Sequence, residues 1–275
     1  MRRVAICSGL VAFGILWAAA AHAQAAAQTP AKVQEKAVAQ AKAAAPTLTA
    51  DEVIEKHLAA VGGRAALAKL TSRTATGTIA MSMQGNEIPG TADIFLKAPN
   101  KTRTYIKIDL AQFGAGEVIV DQRCDGQTAF ASNSMQGDRD ITGDQLQGML
   151  NARFPTPLLD YKSAGAKVEL VGREKLGDRE TYVVRYIPKA GPASTNYFDA
   201  ETFLDLRTVT KINVPEAGGE MEQTNDSEDF REVDGVKIPH VLKIVNPMQA
   251  MTITFTKIEH NKPLDDAMFS KPAAK

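Results

Sequence analysis

The sequence predicts a mainly β chain, a long antiparallel meander forming a strongly curved sheet or barrel, with a few helices free to cover one face. Three observations predict it. Apolar and polar residues alternate through much of the chain after Ser72, the mark of strands with one packed face and one wet face. Turn-forming pairs separate the runs, among them Asp125-Gly126, Gly177-Asp178, Asp234-Gly235 and Asn246-Pro247. Helical spacing is confined to a stretch before Ser72 and a short one after Thr142.

The N-terminus carries Arg2 and Arg3, an apolar stretch from Val4 to Ala21, and the small-x-small sequence Ala21-His22-Ala23. These are the charged region, apolar core and cleavage site of an export signal, in order. Roughly 18 apolar residues also suffice for an uncleaved anchor, but Ala and Gly dominate this stretch and a cleavage site ends it. Residues 1–23 are therefore read as a signal peptide, accepted by either the general secretory or the twin-arginine route. The mature chain is expected to be periplasmic or secreted, with no membrane span. Cys7 lies ahead of the cleavage site and is removed with it, leaving Cys124 as the single thiol and no possible intramolecular disulfide. The only tryptophan, Trp17, also lies in the signal. Processed protein should show tyrosine emission alone, and a tryptophan band from purified mature material would mean the signal had been retained. Losing Arg2 and Arg3 takes the basic count from 32 to 30 against 32 acidic residues, so no net positive charge attracts nucleic acid.

Residues 24–47 use little beyond Ala, Gln, Lys, Val and Pro and read as a low-complexity tether. The folded domain is placed at residues 48–275. Thr49-Ala50-Asp51-Glu52 has capping-box spacing, Val53, Ile54, Leu58 and Val61 share one helical face, and Gly62-Gly63 ends the helix. Ala65 to Leu70 makes a second short helix. About five strands follow, then a helix opened by capping-box spacing at Thr142-Gly143-Asp144-Gln145 and stopped by Pro155 and Pro157, then about six more strands.

Asp51-Glu52-Val53-Ile54-Glu55-Lys56-His57, followed by Gly62-Gly63 and Ala66-Leu67, resembles the entry helices of exported bacterial proteins related to the outer-membrane lipoprotein carriers LolA and LolB. Tyr197 to Thr202 and Phe230 to His240 extend the resemblance, which spans roughly residues 49–270. It implies an incomplete antiparallel β-barrel of about eleven strands, with helices covering an apolar concave face. The function it implies is non-enzymatic: binding of a lipid or lipoprotein acyl chain in that concavity.

The residues expected to line the concavity are Ile79, Met81, Met83, Ile94, Leu96, Ile106, Ile108, Met251, Ile253 and Phe255. Methionine is flexible and polarisable and suits acyl chains of variable shape. The same residues would equally serve as an ordinary filled core, in which case the fold is a sensory or scaffolding module with an envelope protein as partner.

No cofactor is expected. His57, His240 and His260 have no second ligand at metal spacing, and Cys124 is followed by Asp125-Gly126 rather than by a haem-attachment sequence. His240 shares a strand face with Ile238 and Leu242, so a hydrolase using it with a carboxylate is the third and weakest reading; there is no Gly-x-Ser-x-Gly elbow. Asp226-Ser227-Glu228-Asp229 lacks the glycine and distal glutamate of a calcium loop and reads as a solvated hairpin tip.

Overall fold

The computed structural model describes residues 48–272 except 84–85, 215–218 and 248; the expected signal and tether, residues 1–47, lie outside the described residues. Thr49 caps α1 (Ala50–Ala60). Its hydroxyl accepts from the Glu52 amide at 3.2 Å while the Glu52 carboxylate accepts from the Thr49 amide at 2.7 Å, a closed capping box. Such a cap is worth about 1 kcal/mol. Gly62 ends the helix at φ +125°, and a Cβ there would lie 2.5 Å from the Gly235 carbonyl oxygen, so only glycine lets the helix end come this close to the β-sheet. The Lys237 amide donates to the Val61 carbonyl at 3.0 Å beside it. Helix α2 (Arg64–Leu67) is shorter than the Ala65–Leu70 expected.

The strands are β1 (Ser72–Met83), β2 (Asn86–Lys97), β3 (Lys101–Asp109), β4 (Glu117–Cys124), β5 (Ala129–Asn133) and β6 (Gly137–Ile141). After helix α3 (Gly143–Asn151) come β7 (Lys167–Leu176), β8 (Arg179–Ile187), β9 (Ser194–Asp199), β10 (Asp205–Val214), β11 (Gly219–Val233), β12 (Val236–Asn246) and β13 (Gln249–His260). All thirteen lie in one antiparallel sheet, ordered β6-β5-β4-β3-β2-β1-β13-β12-β11-β10-β9-β8-β7. The sheet is mainly a succession of hairpins, except that β1 and β13 pair in its middle, from Arg73 opposite His260 to Ser82 opposite Ala250. Their ladder slips by one residue between Thr76 and Gly77, where a Cβ on Gly77 would sit 2.4 Å from the Thr254 carbonyl oxygen. Edges β6 and β7 do not pair, so the barrel stays incomplete, as expected, but with thirteen strands rather than about eleven.

Two local expectations are corrected. Asp226 to Asp229 is not a hairpin tip; it lies inside β11. Its carboxylates are matched by Arg207 on Asp226, Lys243 on Glu228 and Arg231 on Asp229, which is how an acidic run is accommodated in a strand. Thr142 sits at the N-cap of α3 but makes no side-chain capping bond.

Cross-strand register defines the inner face. Ile88, Met81, Met251, Ile244, Asn225, Thr208, Asn196, Val184 and Leu170 are successive partners from β2 across to β7. The row is apolar at both ends and polar on β9, β10 and β11. Helix α1 buries Val53, Ile54 and Leu58 against the second apolar part, with Val184, Tyr186, Phe198, Val236 and Ile238. Helix α3 sets Leu146, Met149 and Leu150 against Cys124, Ala129, Ala131 and Ile141 of β4 to β6.

Candidate functional site

Seven of the expected lining residues, Ile79, Met81, Ile106, Ile108, Met251, Ile253 and Phe255, fall in one buried cluster on the inner face of β1, β3 and β13. Ile94 packs against that cluster, whereas Leu96 packs against the other, under the helices. Met83 ends β1, and its side chain lies outside the described residues. Alternation brings these residues together because Ile79 faces Ile253 and Met81 faces Met251 across the seam of the sheet. They are also tightly closed: Met81, Ile106 and Ile108 are 0 % exposed and Met251 2 %.

Open space of a different character lies beneath α1. A cleft of about 150 Å³ is bordered by His57, Arg73, Asp205, Ser227 and Phe230, with Pro155, Thr156 and Pro239 at its sides. Of its polar members, Arg73 and Asp205 had escaped sequence reasoning, whereas His57 and Ser227 had been weighed only against metal sites. Arg73 was legible, since it precedes Ala75, Ile79 and Met81 on the inward phase of β1; Asp205 was not, because its strand begins with a register slip between Asp205 and Arg207.

Each polar group has a defined environment. The His57 ring is buried between α1 and Phe198, at 4.9 Å between ring centroids, and its Nδ1 lies 2.9 Å from the Phe203 carbonyl oxygen. That carbonyl can only accept, so Nδ1 carries the proton. Burial pushes the imidazole pKa down, more than the carbonyl raises it, so the ring stays neutral. Asp205 Oδ2 accepts from Asn196 Nδ2 at 2.8 Å and from the Thr208 hydroxyl at 3.3 Å. Although Asp205 as a residue is only half-buried, its Oδ1 is shut away from solvent and makes no hydrogen bond. Burial pushes this carboxyl up to about 7, against the weaker pull of Asn196, Thr208 and the backbone amides of Arg207 and Tyr197. Arg73 is brought down to about 10 by burial, which leaves it a cation at neutral pH.

The other expected candidates lie apart from this cleft. Cys124 is buried under α3, where desolvation raises its thiol pKa, the reverse of an activated nucleophile. His240 is 7 % exposed, with Nδ1 3.1 Å from its near neighbour's carbonyl at Ile238. Among the described residues, no group of three or more His, Cys, Asp or Glu side chains is placed to hold a metal, and no helix is long and apolar enough to cross a membrane.

A family model described as an uncharacterized protein matches residues 159–273. Among curated proteins, no sequence matches. Among solved structures, a LolA superfamily protein from Nitrosomonas europaea is similar at 12 % identity and a TM-score of 0.53, over 82 % of this chain and 99 % of that one. A DUF1329 family protein from Desulfovibrio piger is similar at 12 % identity and a TM-score of 0.51, over 80 % and 97 % of the two chains. A structure described as an outer membrane lipoprotein-sorting protein domain, from Vibrio parahaemolyticus, is similar at 9 % identity and a TM-score of 0.52, over 80 % and 95 %. An open antiparallel sheet, helices laid on its inner face and these three likenesses together establish that this chain has the LolA-like fold.

Proposed function

We propose that this chain is a non-enzymatic envelope protein that holds an apolar ligand, a lipid or an acyl chain, in the concavity of its half-barrel. The observation that carries the reading is the way the apolar interior is enclosed. Because β6 and β7 do not pair, helices rather than strands roof the inner face. A helix lid rests mainly on side-chain packing and a few polar ties, so it can lift without breaking a strand ladder. Those ties include the Asp51 contacts with Tyr161 and Lys162, the His57 contact with Phe203, the Lys237 to Val61 bond, and, on α2 and α3, the Arg64 bond to the Leu159 carbonyl and the Asn100 bond to the Leu150 carbonyl. The description of the Vibrio structure as a lipoprotein-sorting domain makes acyl cargo the first chemistry to try.

The test is displacement of an environment-sensitive apolar dye by fatty acids of increasing length. Each further buried methylene contributes about 0.8 kcal/mol, close to a fourfold gain in affinity, until the space is full. A length series that stays flat would count against the reading.

A second reading is favoured by one observation: Met81 and its neighbours leave one another almost no exposed surface. If they are permanent core, the protein is a scaffolding or sensory module with a protein partner. Then no dye binds, no lipid co-purifies, and a charge placed at Met81 or Met251 unfolds the chain.

A further inference from the structure

Arg73 begins the inward row of β1 that continues through Ala75, Gly77, Ile79 and Met81. Its Nε donates to Nε2 of His260, directly opposite on β13, at 3.0 Å, and its guanidinium carbon lies 5.4 Å from the centroid of the Phe154 ring. A guanidinium nitrogen can only donate, so His260 Nε2 accepts and the imidazole proton sits on Nδ1, which donates to Asp234 at 3.0 Å. The ring is therefore neutral, and burial and then the adjacent Arg73 charge push its pKa down. Arg73 is thus oriented through Nε alone, and no carboxylate among the described residues lies within ion-pair reach of it. A part-buried cation without a counter-charge is costly to keep. In the same cleft, Asp205 Oδ1 is buried without a partner. Of the two, the Arg73 Nη groups are the ones open to a ligand in the cleft, and a guanidinium there without a counter-charge calls for an anion.

We propose that the cleft beneath α1 receives the carboxylate of a single-chain amphiphile, a fatty-acid-like acyl anion, on the free Nη groups of Arg73, with Asp205 and Ser227 beside it and the chain along the apolar row of β1. The charge count selects this class. One guanidinium balances one carboxylate, in the two-pronged geometry that suits both, whereas a phosphate dianion would ask for a second cation. Lys237, also at the cleft, is exposed to solvent. Asp205 is compatible with an anionic neighbour because burial keeps its carboxyl largely protonated up to about pH 7. Size agrees as well: about 150 Å³ admits a head group and a few carbons, below the roughly 300–1,000 Å³ of a pocket that swallows a whole drug-sized molecule. The remainder of the chain has to run along the inner face, through Ala75 and Gly77 towards Ile79 and Met81.

This inference rests on the apolar-ligand reading and names the ligand's chemical class. It is tested on the exported chain at pH 6.5 by dye displacement with palmitate, methyl palmitate and hexanoate, for the wild type, Arg73→Met and Arg73→Lys. Thermal melts first establish that each variant is folded. Palmitate should bind about ten- to a hundredfold more tightly than its uncharged ester, the span expected of a charge-assisted hydrogen-bonded pair. Arg73→Met should abolish that difference without weakening the ester, and Arg73→Lys should keep part of it. Acid and ester binding alike, with neither changed in Arg73→Met, overturns the head-group site while the apolar-ligand reading stands. Hexanoate binding as tightly as palmitate, and lost in Arg73→Met, would identify a free short carboxylate and overturn the acyl chain. If neither palmitate nor its ester displaces dye, both the inference and the reading beneath it fail.

Discussion

Asp205→Asn should stabilise the folded chain by a few kcal/mol at pH 8 and change it little near pH 4. The carboxyl has a folded-state pKa of about 7 against 3.8 for the free group, so the folded state holds the proton more tightly than the unfolded one. Below pH 4 the group is protonated in both states and costs nothing. Between pH 4 and 7 the unfolded chain ionises first, so stability falls as pH rises, and above 7 the loss is complete. A shift of about 3 units corresponds to a loss on the order of 4 kcal/mol. Asparagine removes the ionisation and can still accept from Asn196 and Thr208, though it leaves an amide donor where Oδ1 now stands, so part of the gain is offset. Urea unfolding at several pH values measures this. Equal pH slopes for wild type and variant between pH 4 and 8 would show that Asp205 is not the group responsible.

Phe198→Ala should cost about 3–5 kcal/mol, the range for an aromatic truncated inside a packed core. The side chain is 0 % exposed, packs with α1, Val184 and Ile238, and meets the His57 ring at a tilt of 54°. Nothing smaller at this point spans the distance from β9 to the helix, and the hole would lie under the lid. Chemical denaturation gives the magnitude, and hydrogen exchange in α1 should rise by more than exchange in β1 to β3. A loss near 1 kcal/mol would mean that α1 settles onto the sheet and that the lid is not held by this contact.

Much of the fold could be read from the sequence because its clearest strands obey one rule. Ile79, Met81 and Met251, Ile253 alternate cleanly and belong to strands whose inner face is apolar along most of its length, as far as the Arg73 and His260 pair at one end. The strands that sequence reasoning ran together or passed over are those where the rule lapses. β11 turns Gln223, Asn225 and Ser227 to the same face as Ile244 and Leu242, and β9 turns Asn196 there, so polar residues occupy both phases of the strand. Periodicity sees only contrast, and there is little contrast in Glu222-Gln223-Thr224-Asn225-Asp226. The cleft was hidden for the same reason. Arg73 looked like one polar residue at the start of a strand, and nothing local links it to Asp205, 132 positions later. The helix at Thr49 was readable to the residue because its cap is local chemistry.

The pairing of β1 with β13 gives this chain an unusual order of assembly as it is made. β1 is the first of the described strands to emerge, and β2, the next, can cover one of its edges at once. Its other edge has to wait for the last of the described strands, since Arg73 pairs with His260. Until then an apolar-faced strand carries a row of unpaired amides and carbonyls, the kind of template that recruits strands from other chains. Closing that seam brings together residues separated by most of the domain, at an entropic cost that grows only slowly with the intervening length. Once it closes, the earliest and latest parts of the chain lie side by side at the centre of the sheet, and the final strand acts as the keystone for the first.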